Sequence, residues 1–154
     1  MDQNIFIRIA ADWTMIPIIL LGAYALIFKV PKGQRLKSYS LILVAGLTAY
    51  LFAKLSGFIY QPAGLRPFEI LGVIAGASSM NNPGFPSDHI LLASAITCAV
   101  WFITKQKVIT YILISLIVIV GIGRVLALVH TPIDVIGGVL FALLGSLWYI
   151  NSKP

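Results

Sequence analysis

An all-α, polytopic membrane helix bundle is the fold class this sequence predicts, on three observations. Of 154 residues, 59% are hydrophobic and only 10% charged, whereas a water-soluble domain is about 45–50% apolar and about 25% charged. Mean hydropathy is +0.97. The apolar residues gather in stretches close to the ~20 residues that a helix needs to cross a bilayer. These features exclude a soluble domain, a disordered chain, a disulfide scaffold and a coiled coil. They predict a single integral membrane domain over residues 1–154.

Residues 1–12 set Ile5, Phe6, Ile7 and Ile9 among Asp2, Arg8 and Asp12, which reads as a short N-terminal interfacial helix. There is no basic leader region and no small-residue cleavage site, so no signal peptide is expected. About five transmembrane helices follow. The first runs from about Trp13 to Phe28 and is short. The second is Tyr39–Tyr60, the third His89–Thr104, the fourth Val108–Val129 and the fifth Ile133–Ile150. Residues 61–88 form a long loop rich in Pro, Gly, Ser and Asn. The single cysteine, Cys98, sits mid-span and is expected to pack there.

Charge orients these spans. Lys29, Lys32, Arg35, Lys37, Lys105, Lys107 and Lys153 fall on one side if five spans alternate, and all five acids fall on the other. The positive-inside rule makes the basic side cytoplasmic, with the N-terminus out and the C-terminus in. The net charge of +6 therefore speaks of membrane topology, and no nucleic acid partner is expected. The sequence does not specify an oligomeric state.

Lys54, Arg66, Asp88, His89, Arg124, His130 and Asp134 all fall at or near the outer face. Ionisable residues in or beside spans are costly and point to function. Each also has a plainer reading. Ser87 after Pro86 suits an N-cap, and Thr131-Pro132-Ile133-Asp134 is a capping pattern. A lone Arg at an interface is often a snorkelling anchor, and a lone His at a helix start is often a polar contact. Capping does not require His at both helix starts, however, and the outer face is where the positive-inside rule disfavours Arg. Cations converging with two helix N-termini form an anion site suited to phosphate. Two histidines can then share phosphoryl transfer as nucleophile and general acid. Zinc would use the same His and Asp side chains, but the neighbouring cations disfavour a dication, so no metal and no cofactor is expected.

The order Arg66-Pro67, Pro86-Ser87-Asp88-His89, then Arg124 with His130 and Asp134 resembles the type 2 phosphatidic acid phosphatase (PAP2) superfamily. His130 with Thr131, Pro132, Ile133 and Asp134 is similar to that family's last motif. The resemblance covers roughly Lys54–Gly138 and implies a metal-independent membrane phosphatase. It implies that His130 attacks phosphorus, Asp134 orients His130, and His89 protonates the leaving oxygen and then activates water. It further implies that Lys54, Arg66, Ser87, Asp88 and Arg124 bind substrate. Three positions depart from the family pattern. Ile59 stands where the family has Lys, leaving Lys54 as the candidate, with an insertion at residues 61–65. Asp88 replaces Gly, and Gly123 replaces Ser. The Pro-Ser-Asp-His form resembles bacterial undecaprenyl-pyrophosphate phosphatases. That implies hydrolysis of undecaprenyl pyrophosphate to the monophosphate at the outer face of a bacterial cytoplasmic membrane, with recycling of a lipid carrier for the cell envelope and peptidoglycan. Phosphatidic acid and phosphatidylglycerophosphate are alternative substrates. A non-catalytic lipid-phosphate binder or transporter is the alternative from another class.

Overall fold

The computed structural model of the protein describes residues 5–60, 65–80 and 84–151. Asp2, Lys153 and residues 61–64 and 81–83 lie outside the described residues, and with them most of the expected insertion ahead of Arg66. Every element among the described residues is helical.

The helix α1 runs Ile5–Phe28, with a π-helical stretch at Ile9–Trp13. This differs from the expected interfacial helix followed by a short span. The two pieces form one 24-residue apolar run, because the small side chains of Ala10 and Ala11 let the segment pack into the bundle. Helix α2, Arg35–Tyr60, begins earlier than its apolar stretch. Its first turn is tied to α1 where Arg35 Nη2 donates to Ile27 O at 2.9 Å. A short α3, Pro67–Ile70, lies within the long loop. Helix α4 spans Asp88–Thr104, α5 spans Lys107–Leu126, and α6 spans Pro132–Asn151. Among the described residues four helices are long and apolar enough to cross a membrane, and α4 is a shorter apolar helix.

Helix α6 packs most extensively, against α2 on one side and α4 on the other, while α1 packs on α4 and α5. Buried Ala45, Ala49 and Ala53 form the small-residue face of α2. Small side chains let helices approach closely where lipid supplies no hydrophobic drive. Trp148 Nε1 donates to Thr48 Oγ1 at 3.0 Å across the α2–α6 seam. Met15, Ile18, Ile90, Val100, Leu113 and Val120 fill the main core. Large side chains such as Leu20, Leu51, Ile119 and Leu140 point outward, as helices facing hydrocarbon require.

Two close approaches shape one end of the bundle. A Cβ on Gly123 would lie 2.6 Å from Ala11 N and 2.7 Å from Ala10 C, so only glycine lets the backbone of α1 touch α5. A Cβ on Gly138 would lie 2.9 Å from Ser87 O, so α6 meets the start of α4 in the same way.

Candidate active site

The connection between α5 and α6 carries His130 and is shaped by the long loop. Helix α5 stops at Leu126, between Arg124 and His130. Six residues on an unbroken helix would set those two about 120° apart. The break restores their proximity, and Leu128 turns the chain with a left-handed φ of 58°. Three successive carbonyls of this connection accept hydrogen bonds from the loop. Gly76 N–H donates to Ala127 O at 2.9 Å and Phe68 N–H to Leu128 O at 3.0 Å. Arg66 Nη1 donates to Val129 O at 2.9 Å.

Arg66 is buried, and its Nη2 donates to Met80 O at 3.1 Å. Its backbone N–H donates to Glu69 Oε2 at 2.6 Å, closing a capping box on α3. Burial lowers its pKa, against the raising fields of Glu69, Asp134 and Asp88. In this geometry Nη1 of Arg66 braces the backbone beside His130, while Nη2 ties it to the loop at Met80.

His130 is 4% exposed. Its Nδ1 lies 3.5 Å from Asp134 Oδ2, an ion-pair spacing without hydrogen-bond alignment. Catalytic contacts are often this loose before substrate arrives. Burial pushes the imidazole pKa down, Asp134 raises it, and the charges of Arg124 and Arg66 lower it further. Asp134 also caps α6. Its Oδ2 accepts from Thr131 N–H at 2.7 Å, and its own N–H donates to Thr131 Oγ1 at 3.3 Å. The capping and orienting readings of Asp134 are therefore compatible, since the cap fixes the carboxylate that faces His130.

Ser87 is fully buried at the start of α4 and makes no side-chain cap, so the plain capping reading of its hydroxyl does not hold. Its backbone N–H donates to Asp134 O at 3.0 Å, joining the starts of α4 and α6. Lys54 Nζ donates to Asp88 Oδ1 and Oδ2 at 2.8 and 2.9 Å, so these two candidate ligands bind one another. They sit with Met80 along a groove of about 540 Å³ lined by Ile42, Leu47, Leu91 and Leu92 of α2 and α4.

Arg124 is 2% exposed, and its Nη1 donates to Asp12 Oδ1 at 2.8 Å. His89 Nε2 lies 3.9 Å from the same oxygen. Sequence reasoning assigned Asp12 to an interfacial helix and missed it here. The available signal was a lone carboxylate inside what is one continuous apolar run.

Among the described residues four buried polar atoms at this end of the bundle make no hydrogen bond: Ser87 Oγ, Arg124 Nε, His130 Nδ1 and Asp134 Oδ1. Each such orphan costs about 1–3 kcal/mol. Their concentration in one place, with both polarities present, makes this the candidate site for a polar group. Among the described residues no group of three or more His, Cys, Asp or Glu is arranged to hold a metal. The family model of the PAP2 superfamily matches residues 38–154. No curated protein and no solved structure matches the chain.

Proposed function

The chain belongs to the PAP2 superfamily, whose members are phosphatases of lipid phosphates, and from that premise we propose that it hydrolyses a long-chain lipid phosphate through a phosphohistidine. The observation that carries the reading is the cluster of buried polar atoms on Ser87, Arg124, His130 and Asp134 that make no hydrogen bond among the described residues. A phosphoryl group would supply acceptors for the Ser87 hydroxyl and Arg124 Nε, and its transfer would draw the His130–Asp134 pair together.

In the proposed first step neutral His130 attacks phosphorus with Nε2, since Nδ1 faces Asp134. The P–N bond forms as the P–O bond to the leaving group breaks, and His89 gives its proton to the leaving oxygen. In the second step water attacks phosphorus, its proton passes to His89, and the P–N bond breaks. Phosphate leaves and both imidazoles return to their starting forms. The work is positioning and electrostatic stabilisation, as phosphoryl transfer generally requires. Arg124 and the start of α4 would bind the phosphoryl oxygens, Arg66 would hold the His130 segment and contribute charge, and no step calls on a metal.

Undecaprenyl pyrophosphate is the proposed substrate. The apolar groove beside Lys54 and Asp88 supports a long hydrocarbon chain, and Lys54 supports a second phosphate next to the first. The site is proposed to face outward across a bacterial cytoplasmic membrane. In support, Lys29, Lys32, Arg35, Lys105 and Lys107 lie at the helix connections opposite the site.

The test is phosphate release by purified protein in detergent with EDTA. Wild type and His130→Ala are assayed on undecaprenyl pyrophosphate, phosphatidic acid and phosphatidylglycerophosphate. Release by wild type alone, fastest on the polyprenyl substrate, is expected. Release from a different lipid replaces the substrate and keeps the chemistry. Substrate binding without release, unchanged in His130→Ala, would replace the enzyme with a lipid-phosphate binder.

A further inference from the structure

Asp12 lies on α1, ahead of the residues that match the family, yet its carboxylate sits among the catalytic candidates. Oδ1 accepts from Arg124 Nη1 at 2.8 Å and from the Ser78 hydroxyl at 2.8 Å. Oδ2 accepts from the Ser78 backbone N–H at 2.9 Å. A carboxylate offers about four acceptor positions, so three are filled. His89 Nε2 stands 3.9 Å from Oδ1, within reach of the remaining one after a small side-chain adjustment.

This is more than a counter-ion arrangement. Neutralising Arg124 needs one contact, but here the carboxylate is itself held at both oxygens by the loop. The one carboxylate then stands against both the anion-binding guanidinium and the proton-donating imidazole. With Nη1 committed to Asp12, Arg124 keeps the edge that contains Nε, which is buried and has no partner. That edge can take a phosphoryl oxygen. The close approach at Gly123 is what brings α1 near enough for this.

We propose that Asp12 is a positioning residue for phosphoryl transfer: it aims the free edge of Arg124 and holds His89 as proton donor. The proposal rests on the reading that His130 and His89 perform the transfer. A positioned general acid contributes roughly 10²–10⁴-fold. That contribution matters where the leaving oxygen is a poor leaving group and fades where it leaves unaided. An alkoxide needs the proton, whereas p-nitrophenolate does not.

The experiment compares wild type, His130→Ala, Asp12→Asn and Asp12→Glu on an alkyl phosphate and on p-nitrophenyl phosphate, with kcat and KM resolved for each. For Asp12→Asn we expect KM to rise on both substrates. Beyond that shared rise, its kcat/KM, which excludes the common hydrolysis of the phosphohistidine, should fall about a hundredfold on the alkyl phosphate and only about threefold on p-nitrophenyl phosphate. Asp12→Glu keeps the charge but moves the oxygens, so the same selectivity should appear in smaller degree. Equal fractional losses on the two substrates, or none, would overturn the proposal and leave Asp12 a counter-ion. If Asp12→Asn does not fold, Asp12→Glu decides by the same ratio. An inactive wild type, or an active His130→Ala, would remove the catalytic reading and this inference with it. Active wild type, inactive His130→Ala and unselective Asp12 variants would remove the inference alone.

Discussion

Lys54 of α2 donates to both carboxylate oxygens of Asp88 at the start of α4, at 2.8 and 2.9 Å. The two departures from the family pattern that lie apart in the sequence, a displaced lysine and an acid in place of glycine, are one ion pair in space. The pair is about one-third exposed on each side, so its contribution to stability is expected to stay within about 1 kcal/mol. Its larger effect is on charge beside the site.

The two partners should therefore act on substrate affinity with opposite signs. Lys54→Ala leaves Asp88 uncompensated and should raise KM several-fold. Asp88→Asn removes a negative charge and releases Lys54 toward phosphate, and should lower KM. Steady-state kinetics on the same lipid substrate check both. Changes of the same sign would show that the pair only packs the α2–α4 seam.

His130→Ala should reduce kcat by at least about a thousandfold, as loss of a nucleophile does, while the protein still folds in detergent. Asp134→Ala should lose both the α6 cap and the proposed orientation of His130. It should lower kcat and also cost about 1 kcal/mol through the lost cap of α6. Thermal unfolding measured alongside turnover separates the two effects. A kinetic loss without any stability loss would argue against the capping role.

Activity should persist into acid. In the proposed mechanism neutral His130 attacks, and burial, reinforced by Arg124 and Arg66, lowers its pKa against the opposing pull of Asp134. The acid limb of kcat/KM is thus expected below the ordinary imidazole value of about 6.5. The stability sign agrees. A histidine that protonates less readily when folded contributes stability that is full above about 6.5, and that stability is lost as pH falls toward the lower folded value. A pH profile of kcat/KM on a substrate whose own ionisation is complete checks this. An acid limb above 6.5 would contradict it.

Gly123→Ser, which installs the residue usual in the family, should damage this protein. The added Cβ would lie 2.6 Å from Ala11 N and 2.7 Å from Ala10 C, and backbone atoms cannot move aside as a side-chain tip can. A loss of about 1–3 kcal/mol is expected from such overpacking, with activity falling as Asp12 is carried away from Arg124. Thermal stability and turnover of the variant test it. An intact, fully active Gly123→Ser protein would mean that α1 can pack further out at no functional cost.

The sequence by itself determined the bundle, because hydrocarbon demands long apolar helices and any interruption is visible as loop chemistry. It also determined the local motifs. Thr131 to Asp134 caps α6 through contacts within a few residues, although α5 ends at Leu126, short of the expected Val129. Only the tertiary structure decided which charges meet. Asp12 and Arg124 are brought together from distant parts of the chain by the closeness of α1 to α5 at Gly123, and neither spacing nor periodicity encodes that. The same holds for Lys54 with Asp88, and for Arg66, whose guanidinium braces the Val129 carbonyl beside His130. The physical reason is that helix formation in a membrane is local, satisfied within each segment. Pairing of buried charge depends on how the finished helices cross, and that is settled by which small residues let their backbones touch.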